Sequence, residues 1–136
     1  MKIYICCSKH HYHRIADIMK ILEENGHSLT LPNSYDTPFM EEEMKKKSKN
    51  EYISWKAGML RAQKDKVRKN DAILVLNYEK NGQPNYLGGA TFLEIFKAFE
   101  LGKKIFLMNP LPENTFTDEL TAMNPVIING NLKNIK

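Results

Sequence analysis

Cysteine is scarce in this chain: 2 of its 136 residues, adjacent at Cys6 and Cys7. Successive residues of a strand point to opposite faces, so this pair is not placed to form a disulfide. Reduced thiols, as in the cytosol, are the expectation. Cys7 ends a strand pattern, where a thiol can be reactive, but a buried small hydrophobe is the ordinary role of such a residue. Long hydrophobic runs are also missing, and none approaches the roughly 20 residues of a membrane span. Met1-Lys2-Ile3-Tyr4-Ile5 enters a strand pattern directly, without a secretory leader. A cytoplasmic location with no membrane attachment is therefore expected. Charge of one sign does not dominate either: 20 Lys and Arg against 16 Asp and Glu leave a net of +4. With 42% hydrophobic and 26% charged residues, the composition is that of a soluble globular chain. Its length suits a single domain, 1–136, with one good core.

The basic residues gather in two places, Lys45-Lys46-Lys47-Ser48-Lys49 and the stretch from Arg61 to Lys69. The first follows Glu41-Glu42-Glu43, so acids and bases pair at i,i+4 along one solvated helix. Aromatic residues do not interleave with these bases as they do in single-strand binders, which argues against a nucleic-acid partner. His10 and His13 are spaced to share a helix face, but no further acid or thiol cluster has a matching ligand spacing. Neither a metal nor a cofactor is expected.

What is present is a regular alternation of strand and helix patterns. Residues 2–7 read as a buried first strand, followed by a loop at Ser8-Lys9-His10-His11. Ile15, Ile18, Met19 and Leu22 recur at helical spacing, and Asn25-Gly26 closes that helix. Ser28 to Leu31 reads as a short second strand stopped by Pro32-Asn33. A helical region over 40–68, broken near Ser48–Asn50, turns one apolar side through Ile53, Ala57, Leu60 and the Lys64 stem. Ala72 to Asn77 is an unbroken apolar run, the mark of a central parallel strand covered on both faces. A polar loop over 78–88, a helix over 90–101, a strand from Lys104 to Met108, a short helix over 116–123 and a strand at Val126-Ile127-Ile128 complete the order. Five strands alternating with helices predict an α/β fold with a parallel sheet and helices on both faces.

In such a sheet, ligands bind outside the carboxyl ends of the strands. The segment Asn85-Tyr86-Leu87-Gly88-Gly89-Ala90-Thr91-Phe92-Leu93-Glu94 occupies that place, after the third strand and at the entry to a helix. Two glycines let backbone approach a ligand closely, and the free amides of a helix start favour an anion or a polar sugar. Glu94 puts a carboxylate in what the pattern reads as the first helical turn. The helix dipole alone favours an acid there, so spacing leaves a structural and a functional role equally open. Ser8 either binds a phosphate or hydroxyl or simply caps the following helix. His13 is a candidate anion contact, Tyr86 a candidate stacking platform, and Asn85 and Asn109 candidate hydrogen-bond partners at loop positions. Trp55, inside the long helix, reads as core or as a dimer interface together with Ile53 and Met59.

Three pieces carry a resemblance over nearly the whole chain: the opening Lys2-Ile3-Tyr4-Ile5, the strand Asn70-Asp71-Ala72-Ile73-Leu74-Val75-Leu76, and Gly89-Ala90-Thr91-Phe92-Leu93-Glu94-Ile95 followed by Ala98-Phe99-Glu100-Leu101-Gly102-Lys103-Lys104-Ile105. With these the sequence resembles the nucleoside 2-deoxyribosyltransferase-like superfamily, which includes deoxynucleoside 5'-monophosphate N-glycosidases. The resemblance implies a flavodoxin-like three-layer sandwich with five parallel strands in the order 2-1-3-4-5. It implies cleavage or transfer of the N-glycosidic bond of a small-molecule deoxynucleoside or its 5'-monophosphate, with Glu94 as the catalytic carboxylate. It also implies a homodimer or larger homo-oligomer. A module that binds a nucleotide or nucleotide sugar without turnover is the alternative on the same fold. The sequence departs from the family at three points. Cys6-Cys7-Ser8-Lys9-His10 stands where the family has a Gly-Pro pair. Gly88 and Gly89 stand where transferases carry Asp or Ser. The family's Asp near the end of the helix before the third strand has Gln63 as its nearest counterpart by spacing, with Asp65 two residues on. Asp65 becomes the acid partner if that helix shifts register. The expected site is thus Glu94 and Asp65 as catalytic groups, with Ser8, His13, Asn85, Tyr86, Gly88, Gly89 and Asn109 binding substrate.

Overall fold

The computed structural model describes residues 1–136. Five parallel strands, β1 (Lys2–Cys6), β2 (Ser28–Thr30), β3 (Ala72–Val75), β4 (Lys104–Leu107) and β5 (Val126–Ile127), form one sheet in the order β2-β1-β3-β4-β5. The α/β architecture and strand order expected from the sequence are therefore observed. Five helices connect the strands: α1 (Ile15–Glu24), α2 (Met40–Lys45), α3 (Lys49–Lys69), α4 (Gly89–Glu100) and α5 (Thr117–Ala122).

The period of two along the central strands divides the core into two layers. Ile3, Ile5, Leu74 and Phe106 face α1 through Ile15, Ile18 and Leu22, with Leu132 and Ile135 of the C-terminal segment closing the same side. Tyr4, Cys6, Ile73, Val75, Ile105 and Leu107 face the other way, onto Val67 of α3, Ile95 and Ala98 of α4 and Leu120 of α5. All four residues of β3 are buried because the strand is covered on both faces. Gly26 and Gly102 follow α1 and α4 with φ of +87° and +66°, the left-handed conformation that ends a helix and that glycine adopts without steric cost. Ser48 breaks the 40–68 helical region as expected, its hydroxyl accepting the Glu51 N–H at 3.2 Å and capping α3.

Two expectations about α3 need correction. The inward stripe is not Ile53, Ala57, Leu60 and Lys64; Ile53 and Lys64 are exposed. It runs through Trp55, Met59, Gln63 and Val67 at successive i,i+4 positions, with Gln63 and Val67 fully covered. A polar glutamine in the middle of this row hides it from a hydrophobicity pattern. The expected dimer face of Ile53, Trp55 and Met59 is also divided: Ile53 points to solvent, whereas Trp55 and Met59 turn toward a cleft. Three exposed apolar side chains share α4, Leu93, Phe96 and Phe99, with Ile21 exposed on α1.

Beyond β3 the chain continues through buried Leu76 and Asn77. The Asn77 amide donates to the carbonyls of Asn109 and Pro110 at 3.0 Å each and accepts the Asn109 N–H at 2.9 Å. Asn109 returns a bond from its own amide to the Asn77 carbonyl at 3.1 Å. This clasp fixes the loop after β4 to the loop after β3. Asn77→Ala leaves buried polar groups unpaired, and we expect a loss of about 3 kcal/mol in urea unfolding.

Candidate active site

The carboxyl end of β1, helix α2, the inner face of α3, the start of α4 and the loops around 32–38 and 80–88 enclose a cavity of about 450 Å³. Glu94 lies on its floor. Helix α4 begins at Gly89, so Glu94 is in the second turn, not the first as expected, and no acid occupies the first turn. The dipole preference for an acid at a helix start therefore does not account for it. Thr91, Glu94, Ile95 and Ala98 form the buried face of α4, and Glu94 is only 6% exposed.

A carboxylate in that position needs partners. The Tyr4 hydroxyl donates to Glu94 Oε2, and the Cys6 thiol also faces the carboxyl group. Burial raises the Glu94 pKa to about 7, against the pull of the Tyr4 and Cys6 hydrogen bonds and of the Lys66 and Lys97 charges. Burial likewise lifts the Tyr4 phenol and the Cys6 thiol, with the neighbouring carboxylate adding to the effect. The Cys7 thiol is pushed up to about 12 by burial and by Glu94. It carries too little thiolate near neutral pH to be a reactive nucleophile. Lys66 donates to the Leu31 carbonyl at 2.8 Å and lies 5.6 Å over the Tyr4 ring. Burial lowers its pKa.

Gln63 is the second unusual group. It is 5% exposed and lines the cavity. Its Nε2 donates to the Ala90 carbonyl at 3.1 Å, anchoring α3 to the first turn of α4. Its Oε1 is buried without a partner, so the cleft wall offers one free acceptor. Beside it, Gly88 precedes α4 with no side-chain cap, and the first N–H groups of the helix have no intrahelical acceptor. The Tyr86 ring lies beside Gly88, its hydroxyl 3.4 Å from where a Cβ would stand.

The mouth is charged but largely neutralised. Lys9 pairs with Glu42, while Lys45 and Lys56 approach Glu41 at 3.5 and 3.7 Å. Partial burial works against ionisation of Glu41, but Lys56, the Tyr52 hydroxyl and Lys45 hold its carboxyl below the usual range. Lys80 sits 4.6 Å over the Tyr86 ring.

Of the expected site residues, Glu94, Ser8, Tyr86, Gly88 and Gly89 line this one cavity. Ser8 also caps the 3-10 turn over 9–14, accepting the His10 N–H at 3.4 Å. Four expectations fail on geometry. Asp65 is 65% exposed and pairs with Arg68 at 3.1 Å. Two residues along a helix is a rotation of about 200°, so α3 cannot present Gln63 and Asp65 to the same cleft. His13 points to solvent; it is His11 that is buried, bonded to the Glu79 carbonyl at 3.1 Å and packed edge-on against Tyr78. Asn85 takes the left-handed conformation, φ 56°, that turns the chain after Pro84, and lies outside the cavity. Asn109 is held in the clasp with Asn77. Sequence reasoning did not place Tyr4, Trp55 and Met59 at the cavity. The i,i+4 row from Trp55 to Val67 was a readable signal for two of them, whereas Tyr4 looks like any core residue of a strand.

No protein-family model matches the chain, and no curated protein matches it. Solved structures do. A CMP N-glycosidase from Clostridium botulinum superposes with a TM-score of 0.56 over 93% of this chain and 88% of that one, at 15% identity. A 2-deoxyribosyltransferase from Bacillus psychrosaccharolyticus gives 0.58 over 90% and 82%, at 16% identity. At these identities the likeness is one of fold.

Proposed function

We propose that this cleft breaks the N-glycosidic bond of a nucleoside or nucleotide, with Glu94 as the carboxylate that receives the sugar. The observation that carries this reading is a buried carboxylate on the cleft floor, oriented by a buried tyrosine hydroxyl. Support also comes from the fold shared with a CMP N-glycosidase and a 2-deoxyribosyltransferase. A glycosyl carbon becomes cation-like as its base departs, and a carboxylate beneath it can capture it. The bond from C1' to the base nitrogen breaks and its electron pair leaves with the base. A bond from a Glu94 oxygen to C1' forms. Water then attacks C1', releases its proton to solvent and frees the carboxylate; a second base in place of water makes the reaction a transfer. Ser8, Tyr86 and the Gly88-Gly89 backbone would hold the sugar and any phosphate. Deoxynucleosides and their 5'-monophosphates are the proposed substrates.

The neutral Gln63, in the place of an acid, favours a second reading: a module that binds a nucleotide without turning it over. One experiment separates them. The purified protein is incubated with nucleosides, deoxynucleosides and their 5'-monophosphates, free base is read by chromatography, and ligand-induced thermal stabilisation is measured alongside. Base release supports the glycosidic reading; stabilisation without release supports the binding module. A homo-oligomer belongs to the same proposal, and sedimentation velocity at micromolar concentration checks it.

A further inference from the structure

We propose that the preferred substrates are N-glycosides whose leaving nitrogen already carries a positive charge, such as N-glycosylpyridinium or N7-alkylpurine nucleotides. The inference rests on the glycosidic reading of the same cleft.

A neutral base departs as an anion unless an acid protonates it, so its enzyme needs a proton donor opposite the nucleophile. The floor of this cleft lacks one. Gln63 is a neutral amide already bonded to the Ala90 carbonyl. The Tyr4 hydroxyl is engaged with Glu94, and the thiol of Cys7 is pushed up to about 12. Glu41 and Glu42 are tied up in ion pairs with lysines at the mouth. Asp65, the one acid close in sequence, faces the opposite side of α3.

A cationic base needs no such donor. When its bond to C1' breaks, the electron pair cancels the charge on nitrogen and the base leaves neutral. Glu94 captures the sugar, and water releases it with loss of one proton to solvent, so charge and atoms balance with no further reactant. The remaining lining suits a cationic aromatic ring. Tyr12 and Trp55 put aromatic rings in the lining, while Lys80 already sits over the Tyr86 ring at 4.6 Å. The unpartnered Gln63 Oε1 accepts an N–H, as a ring carboxamide or exocyclic amine would supply.

The test compares base release by the wild-type protein from a nicotinamide mononucleotide and N7-methylguanosine 5'-monophosphate with release from CMP, dCMP and dGMP, each rate divided by the uncatalysed rate of the same compound. The expected result is an acceleration larger by about 100-fold or more for the cationic pair, the value of a missing general acid. Gln63→Asp, with Gln63→Glu as a second variant should the first fold poorly, is expected to narrow that gap by raising release from the neutral nucleotides relative to the cationic ones. Equal or faster release from neutral nucleotides overturns the inference and leaves the glycosidic reading standing. Loss of that neutral release in His10→Asn would then identify the exposed imidazole at the mouth as the donor. Release from neither class overturns both.

Discussion

Glu94→Gln will abolish base release and stabilise the folded protein above neutral pH. The variant keeps the size of the side chain and an oxygen that accepts the Tyr4 hydroxyl, so the helix face around Thr91, Ile95 and Ala98 stays filled. In the proposed reaction it loses the negative charge that would capture the sugar. Removing a covalent nucleophile costs about 10⁴-fold or more in turnover. The stability gain follows from proton linkage. Burial raises the Glu94 pKa from the ordinary 4.5 to about 7 in the folded state. The folded protein therefore holds a proton on this group between those two values while the unfolded chain does not. Stability falls as pH rises through this window and levels off above about 7. At 1.36 kcal/mol per unit the charged form costs the wild type about 3 kcal/mol. The amide has no such charge to bury, so we expect the variant to gain about 2 kcal/mol at pH near 8 and almost nothing near pH 5. Urea unfolding of both proteins at the two pH values checks this. A variant no more stable than wild type near pH 8 would show that Glu94 is not held at a desolvation cost.

Tyr4→Phe will shift the pH dependence of the reaction rather than simply weaken it. The Tyr4 hydroxyl is the first of the contacts that favour the charged form of Glu94. In the proposed mechanism the carboxylate is the reactive form, so wild-type turnover should rise with pH and reach its plateau above about 7. Without the hydroxyl, Glu94 loses a hydrogen bond to its charged state and its pKa rises further. We expect turnover near neutral pH to fall by about tenfold, with most of it recovered at higher pH. Tyr4 is 1% exposed, and phenylalanine fills the same space within the β1 core layer. A merely structural role would lower the rate equally at all pH values. A profile that keeps its midpoint while dropping in height would refute the positioning role of Tyr4.

The backbone plan of this protein was legible because each element is locally consistent. The run from Ala72 to Leu76 can only be a strand buried on both sides, and Gly26 and Gly102 end their helices where positive φ is needed. The glycine loop before α4 marked the ligand end of the sheet, since the carboxyl ends of parallel strands open there. Glu94 could be singled out, but its meaning could not. Its burial beneath Tyr4 comes from a contact between β1 and α4, 90 residues apart in sequence.

Helix α3 shows most plainly where sequence ran out. Its 21 residues are largely polar, and the hydrophobic pattern is weak enough to fit more than one face. Rotation about the helix axis decides whether Gln63 or Asp65 meets the cleft, and that rotation is set by Val67 seating in the core and by the bond from Gln63 to the Ala90 carbonyl. Both are tertiary contacts. Composition and periodicity fixed the sheet, the helices and the end of the sheet where a ligand would bind, because those depend on neighbours in the chain. The identity of the cleft's second polar group, and the raised pKa of the first, depend on which distant side chains exclude water around them, and only the folded structure decides that.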